Sequence, residues 1–144
     1  MENGPVFNSQ KVSEGTELNE LRREIFQENI NLYAEASKDF NPIHVDEEFA
    51  KKTPLGGTIA HGMLILAYAS QMMASNFGRD WLTTGKLNVR FKNPARPGDT
   101  VKISGRVRKL LAQNDKTSVK CDFLCQNQNG DTVLSGDASL SLQS

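Results

Sequence analysis

HGMLILAYASQMMASNF, residues 61–77, is unlike any other part of the chain. Met63, Leu64, Ile65, Leu66, Ala67, Tyr68, Ala69, Met72, Met73 and Ala74 fall on all sides of a helix, which leaves no broad polar face for water. Such a helix has to be surrounded by protein. The segments that follow supply the covering. Leu87, Val89 and Phe91 alternate with Asn88, Arg90 and Lys92, and Val101, Ile103 and Val107 mark a second run. Val119, Cys121, Phe123 and Cys125 make a third, and Thr132, Leu134, Gly136, Ala138, Leu140 and Leu142 a fourth. Each run has one apolar and one polar face, the signature of an antiparallel sheet with one solvated side. Turn residues join them: Arg96-Pro97-Gly98-Asp99, Gln113-Asn114-Asp115 and Asn129-Gly130, the last a strong hairpin signal. The pattern is α+β, a curved antiparallel sheet wrapped around one long apolar helix. The small residues Ala67, Ala69, Ser70 and Ala74 would let that sheet approach closely.

Upstream of residue 61 the elements are shorter. Glu17 to Ile25 fits a strand with Leu21 and Ile25 as its apolar points. From Gln27 to about Lys38, Ile30, Tyr33, Ala34 and Ser37 recur at spacings of three and four, one buried helix face. Asn41-Pro42 is expected to end that helix, because the residue before a proline is pushed out of the α region. Asp46 to Lys52 (DEEFAKK) places acids at the start and lysines at the end of a second short helix, as its dipole favours, and TPLGGT is a turn. The first fifteen residues read as a loose arm or an edge strand. With no repeat, charge block or linker, 1–144 reads as a single domain of ordinary size.

Bulk composition removes several classes of function. Lys plus Arg and Asp plus Glu are both 17, so the chain lacks the basic field that accompanies nucleic-acid binding. MENGPVFNSQ lacks the charged flank and apolar run of a secretory signal, and no stretch approaches the ~20 apolar residues that span a bilayer. No membrane association and a cytoplasmic or other reducing compartment are therefore expected. Cys121 and Cys125, four residues apart on a strand, would have Cα atoms ~13 Å apart. A disulfide requires about 7 Å or less, so the two thiols read as core residues. No cysteine–histidine spacing suggests a zinc site, and no metal is expected.

Chemistry has few places to sit in a chain with two histidines. In DFNPIH, Asp39 and His44 flank the Asn41-Pro42 turn, and a loop can bring both side chains around one water molecule. A carboxylate with an imidazole can take a proton from water and return it elsewhere. The spacing alone equally suits Asp39 as a backbone cap and His44 as an ordinary loop residue. Gly62 opens the apolar helix, where backbone N–H groups lack internal partners and can hold a developing oxyanion; close helix–strand packing would also explain a glycine there. Ser70, deep in the same helix, suits a bond back to a carbonyl one turn earlier. Arg90, Lys92 and Arg96 can meet phosphates of a carrier cofactor or simply cover a solvated sheet face. Met72 and Met73 read as core filling.

SKDFNPIHVD, with His61-Gly62-Met63 following seventeen residues after His44, resembles the hydratase signature of MaoC-like, (R)-specific enoyl-CoA hydratases. The similarity runs from about Gly15 to Leu142 and includes the Gly98-Asp99 turn. It implies a hot-dog fold, in agreement with the wrapped helix read from periodicity. It also implies that Asp39 and His44 hold and activate a catalytic water for syn addition to a trans-2-enoyl thioester, giving the (R)-3-hydroxyacyl thioester. Gly62 then matches the residue whose N–H polarises the thioester carbonyl, Ser70 a small polar residue supporting the catalytic arrangement, and Asn41 a residue orienting the loop. Lys38 departs from the glycine common at its position but touches no proposed catalytic atom. The resemblance further implies no cofactor beyond the CoA or acyl-carrier part of the substrate, and a homodimer or dimer of dimers with the thioester at the subunit interface.

Three alternatives share the fold. A 3-hydroxyacyl-ACP dehydratase would run the same site in reverse on acyl carrier protein. A hot-dog thioesterase would place an acid on the central helix, yet from Gly62 to Gly78 there is no Asp or Glu. A non-catalytic acyl-thioester binding subunit would lack the Asp39–His44 pair, and here both are present.

Overall fold

The computed structural model describes residues 7–143. Its elements run β1 (Leu21–Glu24), α1 (Gln27–Ser37), α2 (Pro42–Val45), α3 (Glu47–Lys51), α4 (Gly62–Phe77), α5 (Arg79–Thr84), β2 (Lys86–Phe91), β3 (Thr100–Gln113), β4 (Lys116–Gln126) and β5 (Thr132–Gln143). The strands form one sheet in the order β1-β3-β4-β5-β2, antiparallel at every pairing. Consecutive β3, β4 and β5 make a meander. β2 precedes them in sequence but closes the far edge, because the chain passes under the sheet as α4 before entering it.

The four alternating runs are the four long strands, and their apolar faces converge on α4. Val101, Ile103 and Val107 of β3, Val119, Cys121 and Cys125 of β4, and Leu134, Ala138 and Leu142 of β5 are all buried against Ile65, Ala69, Met72, Met73 and Phe77. Removing each large side chain from water contributes about 1.5–3 kcal/mol, so this layer holds the domain together. A register shift between Val107 and Lys109 lets β3 bend around the helix. Val89 pairs with Gly136, and a Cβ on Gly136 would collide with the Asn88 carbonyl oxygen and lie 2.9 Å from Val89 Cα. Gly136→Ala is therefore expected to cost about 1–3 kcal/mol and lower the melting temperature by roughly 3–10 °C in a thermal scan.

Within one chain the covering of α4 is one-sided. Leu64, Ile65, Ala69, Met72, Met73, Asn76 and Phe77 are buried, but Met63 is 55% exposed and Ala67, Gln71 and Ser75 also face outward. One sheet covers one side of a helix. Of the small residues expected against the sheet, Ala69 is fully buried, whereas Ala67 lies on the open face.

The upstream segment differs in detail. The strand expected over Glu17–Ile25 is confined to Leu21–Glu24, with Glu17 making an isolated bridge to Arg106. α1 ends at Ser37, and its C-cap Lys38 is in the left-handed region (φ 64°), four residues before Pro42. Pro42 instead begins α2, since its fixed φ and missing N–H suit the first helical position, and the Asn41 side chain caps that turn by accepting from Ile43 N–H at 3.1 Å. Asp46 caps α3 in the same way, accepting from Phe49 N–H. Of the first fifteen residues, 1–6 lie outside the described part. Phe7 packs against Phe77 with ring centroids 5.9 Å apart and donates its N–H to Asn76 O at the end of α4, while Gly15 N–H donates to Val107 O of β3.

Cys121 and Cys125 are free and buried on the core face of β4. Burial pushes both thiols up to about 12, with Asp122 adding to the effect at Cys121. Their folded pKa lies above the unfolded value, so the native state holds these protons more tightly. That contribution to stability is fully present below about pH 8.5 and is lost as pH rises toward 12. The urea midpoint is expected to fall above about pH 9, less steeply in a Cys121→Ala/Cys125→Ala variant, and the native thiols should resist thiol reagents near neutral pH.

Candidate active site

The segment between α1 and α4 folds over the N-terminal end of α4, and side chains of α1, α3 and the loop before α4 lock it there. Gln27, the first residue of α1, donates from Nε2 to His44 O at 2.8 Å and accepts at Oε1 from Thr58 Oγ at 2.7 Å. Thr58 N–H donates to Glu47 Oε1 of α3, and Ile59 N–H to Ile43 O of α2. This lattice fixes the backbone from which His44 projects.

His44 is 8% exposed, and its Nδ1 lies 2.8 Å from Ile59 O. A carbonyl oxygen only accepts, so Nδ1 carries the hydrogen and Nε2 presents a lone pair. Asp39 is exposed, and its Oδ1 accepts from Asn41 N–H at 3.3 Å. Ligand atoms of Asp39, His44 and His61 lie within 4.8 Å of one another. The five-residue separation of Asp39 and His44 is thus closed by the Asn41-capped turn into α2.

His61, which the sequence placed in the His61-Gly62-Met63 motif at the start of a helix without giving it a role, is the third member of this cluster. Its ring stacks on His44 with centroids 3.9 Å apart and planes 24° apart, and Tyr33 covers it at 4.8 Å. Its Nε2 donates to Asp39 O at 3.0 Å, while Nδ1 is buried without a hydrogen-bond partner. An unsatisfied buried nitrogen of this kind costs about 1–3 kcal/mol. The available signal was that the chain's second histidine directly precedes Gly62.

Two imidazoles and a carboxylate are a plausible ligand set by donor type. The geometry does not suit a metal: His44 Nδ1 and His61 Nε2 are already committed to carbonyls, and nearly parallel rings direct their remaining lone pairs alongside each other. Those lone pairs do not converge on one point.

Gly62 follows as the first residue of α4, and neither its N–H nor that of Met63 can find an intrahelical partner. His61, the N-cap, makes no side-chain cap to them. The Phe91 ring closes over this spot, with Cε1 2.9 Å from where a Gly62 Cβ would be. Beside it opens a cleft of about 300 Å³ whose apolar walls include Leu55, Ile59, Ile65, Phe91 and Val133.

The other expected residues are placed less centrally. Lys92 lines the cleft, whereas Arg90 and Arg96 do not. Asn41 spends its side-chain oxygen on the α2 cap. Ser70 accepts from Trp81 Nε1 at 2.9 Å, and eight residues of helix separate it from Gly62 by about 12 Å along the axis. The structure gives Ser70 an indole as its partner and does not bring it to Asp39 and His44.

A sheet wound around an apolar helix, with a carboxylate and an imidazole folded over that helix's N-terminus, places the molecule among the hot-dog hydratase structures. An R-hydratase from Pseudomonas aeruginosa superposes with a TM-score of 0.84 at 28% identity, covering 95% of this chain and 86% of that one. The chain belongs to the MaoC-like domain family, whose model matches residues 8–122. It is 32% identical over 120 residues to an (R)-specific enoyl-CoA hydratase of Rhodospirillum rubrum, covering 83% of this chain and 81% of that protein. It is also 30% identical over 118 residues to a 3-hydroxybutyryl-CoA dehydratase of Methylorubrum extorquens, covering 82% and 73% respectively.

Proposed function

We propose that the protein catalyses the reversible, (R)-specific hydration of trans-2-enoyl thioesters, with CoA as the carrier, as a single-domain hydro-lyase. The observation that carries this reading is a free imidazole lone pair and an exposed carboxylate beside unpartnered N–H groups at the start of α4. Water adds to the β-carbon of a conjugated thioester only if charge can build on the carbonyl oxygen and a base takes the water's proton. The Gly62 N–H meets the first requirement. Asp39 and His44 meet the second: one O–H bond of the held water breaks, its oxygen bonds to the β-carbon, and the pair returns a proton to the α-carbon on the same face. No net proton or electron is exchanged, so the residues themselves supply all the chemistry the step requires and no cofactor is invoked. Run in reverse, the same site dehydrates a 3-hydroxyacyl thioester.

The cleft beside Gly62 suits an apolar acyl or pantetheine chain, and Lys92 at its edge suits a carrier phosphate. The open face of α4, with Met63 55% exposed and Ala67 beside it, favours assembly as a homodimer in which a second copy covers this helix. Among the described residues no helix is long and apolar enough to cross a membrane. A reducing intracellular setting accords with a CoA-linked reaction.

Purified protein mixed with crotonyl-CoA should remove the conjugated enoyl-thioester absorbance without releasing free thiol. Free thiol release would favour thioester hydrolysis, and absence of turnover over a panel of chain lengths would sink the proposal.

A further inference from the structure

We infer that His61 is a positioning residue that sets Asp39, His44 and the Gly62 N–H at fixed distances from one another, an inference that rests on the hydratase reading. Three observations converge on it. Asp39 sits in an exposed loop, residues 38–41, whose other bonds are local: Asp39 N–H to Ser37 Oγ, Asn41 N–H to Asp39 Oδ1, and the Asn41 cap of α2 with its carbonyl bond from His44 N–H. Among the described residues the single long-range hydrogen bond to this loop is the one from His61 Nε2–H to Asp39 O. The loop's place relative to the helix therefore depends on that imidazole.

The second observation is the stack. With centroids 3.9 Å apart, the His61 ring covers one face of the His44 ring, while the Ile59 carbonyl fixes its Nδ1 edge. Rotation of His44 away from the water site is blocked on that face. The third is position along the chain: His61 is the N-cap of α4, so the residue that holds the loop and the imidazole also fixes where the oxyanion donor begins.

Packing alone does not account for an imidazole here. His61 is 2% exposed and leaves Nδ1 unpartnered. A phenylalanine would fill the same space and stack on His44 without burying an unsatisfied nitrogen. The feature an imidazole adds is the Nε2–H donor directed at Asp39 O.

Two substitutions separate these roles. His61→Phe keeps an aromatic ring and removes the donor, whereas His61→Gln keeps a donor near the place of Nε2 and removes the ring. His61→Phe is expected to lower kcat on crotonyl-CoA by about 10²-fold with KM changed little, as a misplacement of about 1 Å would. His61→Gln should recover the part of that loss due to Asp39, the remainder reporting the lost stack on His44. In an Asp39→Asn background His61→Phe should have almost no further effect on kcat, because both act through the same carboxylate. A structural role would not produce that pattern. Amide exchange at residues 38–41 provides a readout that needs no turnover: faster in His61→Phe, near wild type in His61→Gln. Full activity of His61→Phe, unchanged exchange at 38–41, or additive losses with Asp39→Asn would each overturn the inference. So would a His61→Gln variant as slow as Asp39→Asn, whether or not His61→Phe folds. If the wild type lacks hydratase activity while exchange responds as stated, the hydratase reading fails and the tether stands.

Discussion

Asp39→Asn is expected to lower kcat for crotonyl-CoA hydration by about 10²–10⁴-fold, the range for loss of a general acid–base, with little change in KM. Asparagine matches aspartate in shape but cannot take a proton from water. The fold should hardly register the change. Asp39 is exposed, and the one bond its side chain accepts, from Asn41 N–H at 3.3 Å, can be accepted by an amide oxygen as well. A melting temperature near wild type together with a collapsed kcat would place the effect on chemistry. Activity within threefold of wild type would remove Asp39 from the mechanism.

Gly62→Pro is expected to lower kcat/KM by about 10²–10³-fold by deleting the oxyanion donor. Backbone N–H groups are seldom removable without unfolding, but this one is. Gly62 is the first residue of α4, a position where proline is favoured, and His61 before it has φ −60° and ψ 136°, already in the region a proline requires of its predecessor. The complication is Phe91, whose Cε1 lies 2.9 Å from the new Cβ. Phe91 is 53% exposed and free to swing outward. A Phe91→Ala background relieves the contact, so comparing Gly62→Pro with Gly62→Ala in that background isolates the N–H. Equal kinetics for the two would show that the N–H does not contact the reacting carbonyl.

The parts of this fold written in short periods were legible in the sequence. Val119, Cys121, Phe123 and Cys125 alternate because one face of β4 packs on α4, and the helix announced itself through a run with apolar residues on all its sides. The run could not reveal how much of the helix one chain covers. Met63 and Ala67 are as apolar as Leu64 and Ala69, and only the single-sided packing of the sheet distinguishes them. Lys38 was opaque for another reason: a lysine at φ 64° is uncommon, and nothing local marks it. Pro42 was ambiguous, since proline both follows helices and starts them; the Asn41 cap decides for a start. α5, RDWLTT, is too short to display a period. At the site, Asp39, His44 and Gly62 could be named from their residue types and motif, whereas the His61 stack could not. It joins residues seventeen apart across the short helix α3 and a loop, and no sequence spacing encodes a ring-on-ring contact.

The same pattern explains Ser70. A serine amid apolar residues is compatible with several partners, and here Trp81, eleven residues later in the unforeseen α5 segment, supplies the donor.

Hydration of crotonyl-CoA in deuterated water tests the central idea, that one water is activated and its proton returned from a single side by Asp39 and His44. The product's configuration at the β-carbon and the placement of deuterium at the α-carbon are read by chiral separation and proton coupling. The expected result is (R)-3-hydroxybutyryl-CoA with deuterium delivered to the same face as the new hydroxyl, and no such product from Asp39→Asn at comparable enzyme concentration. An (S) product, or deuterium on the opposite face, would contradict it.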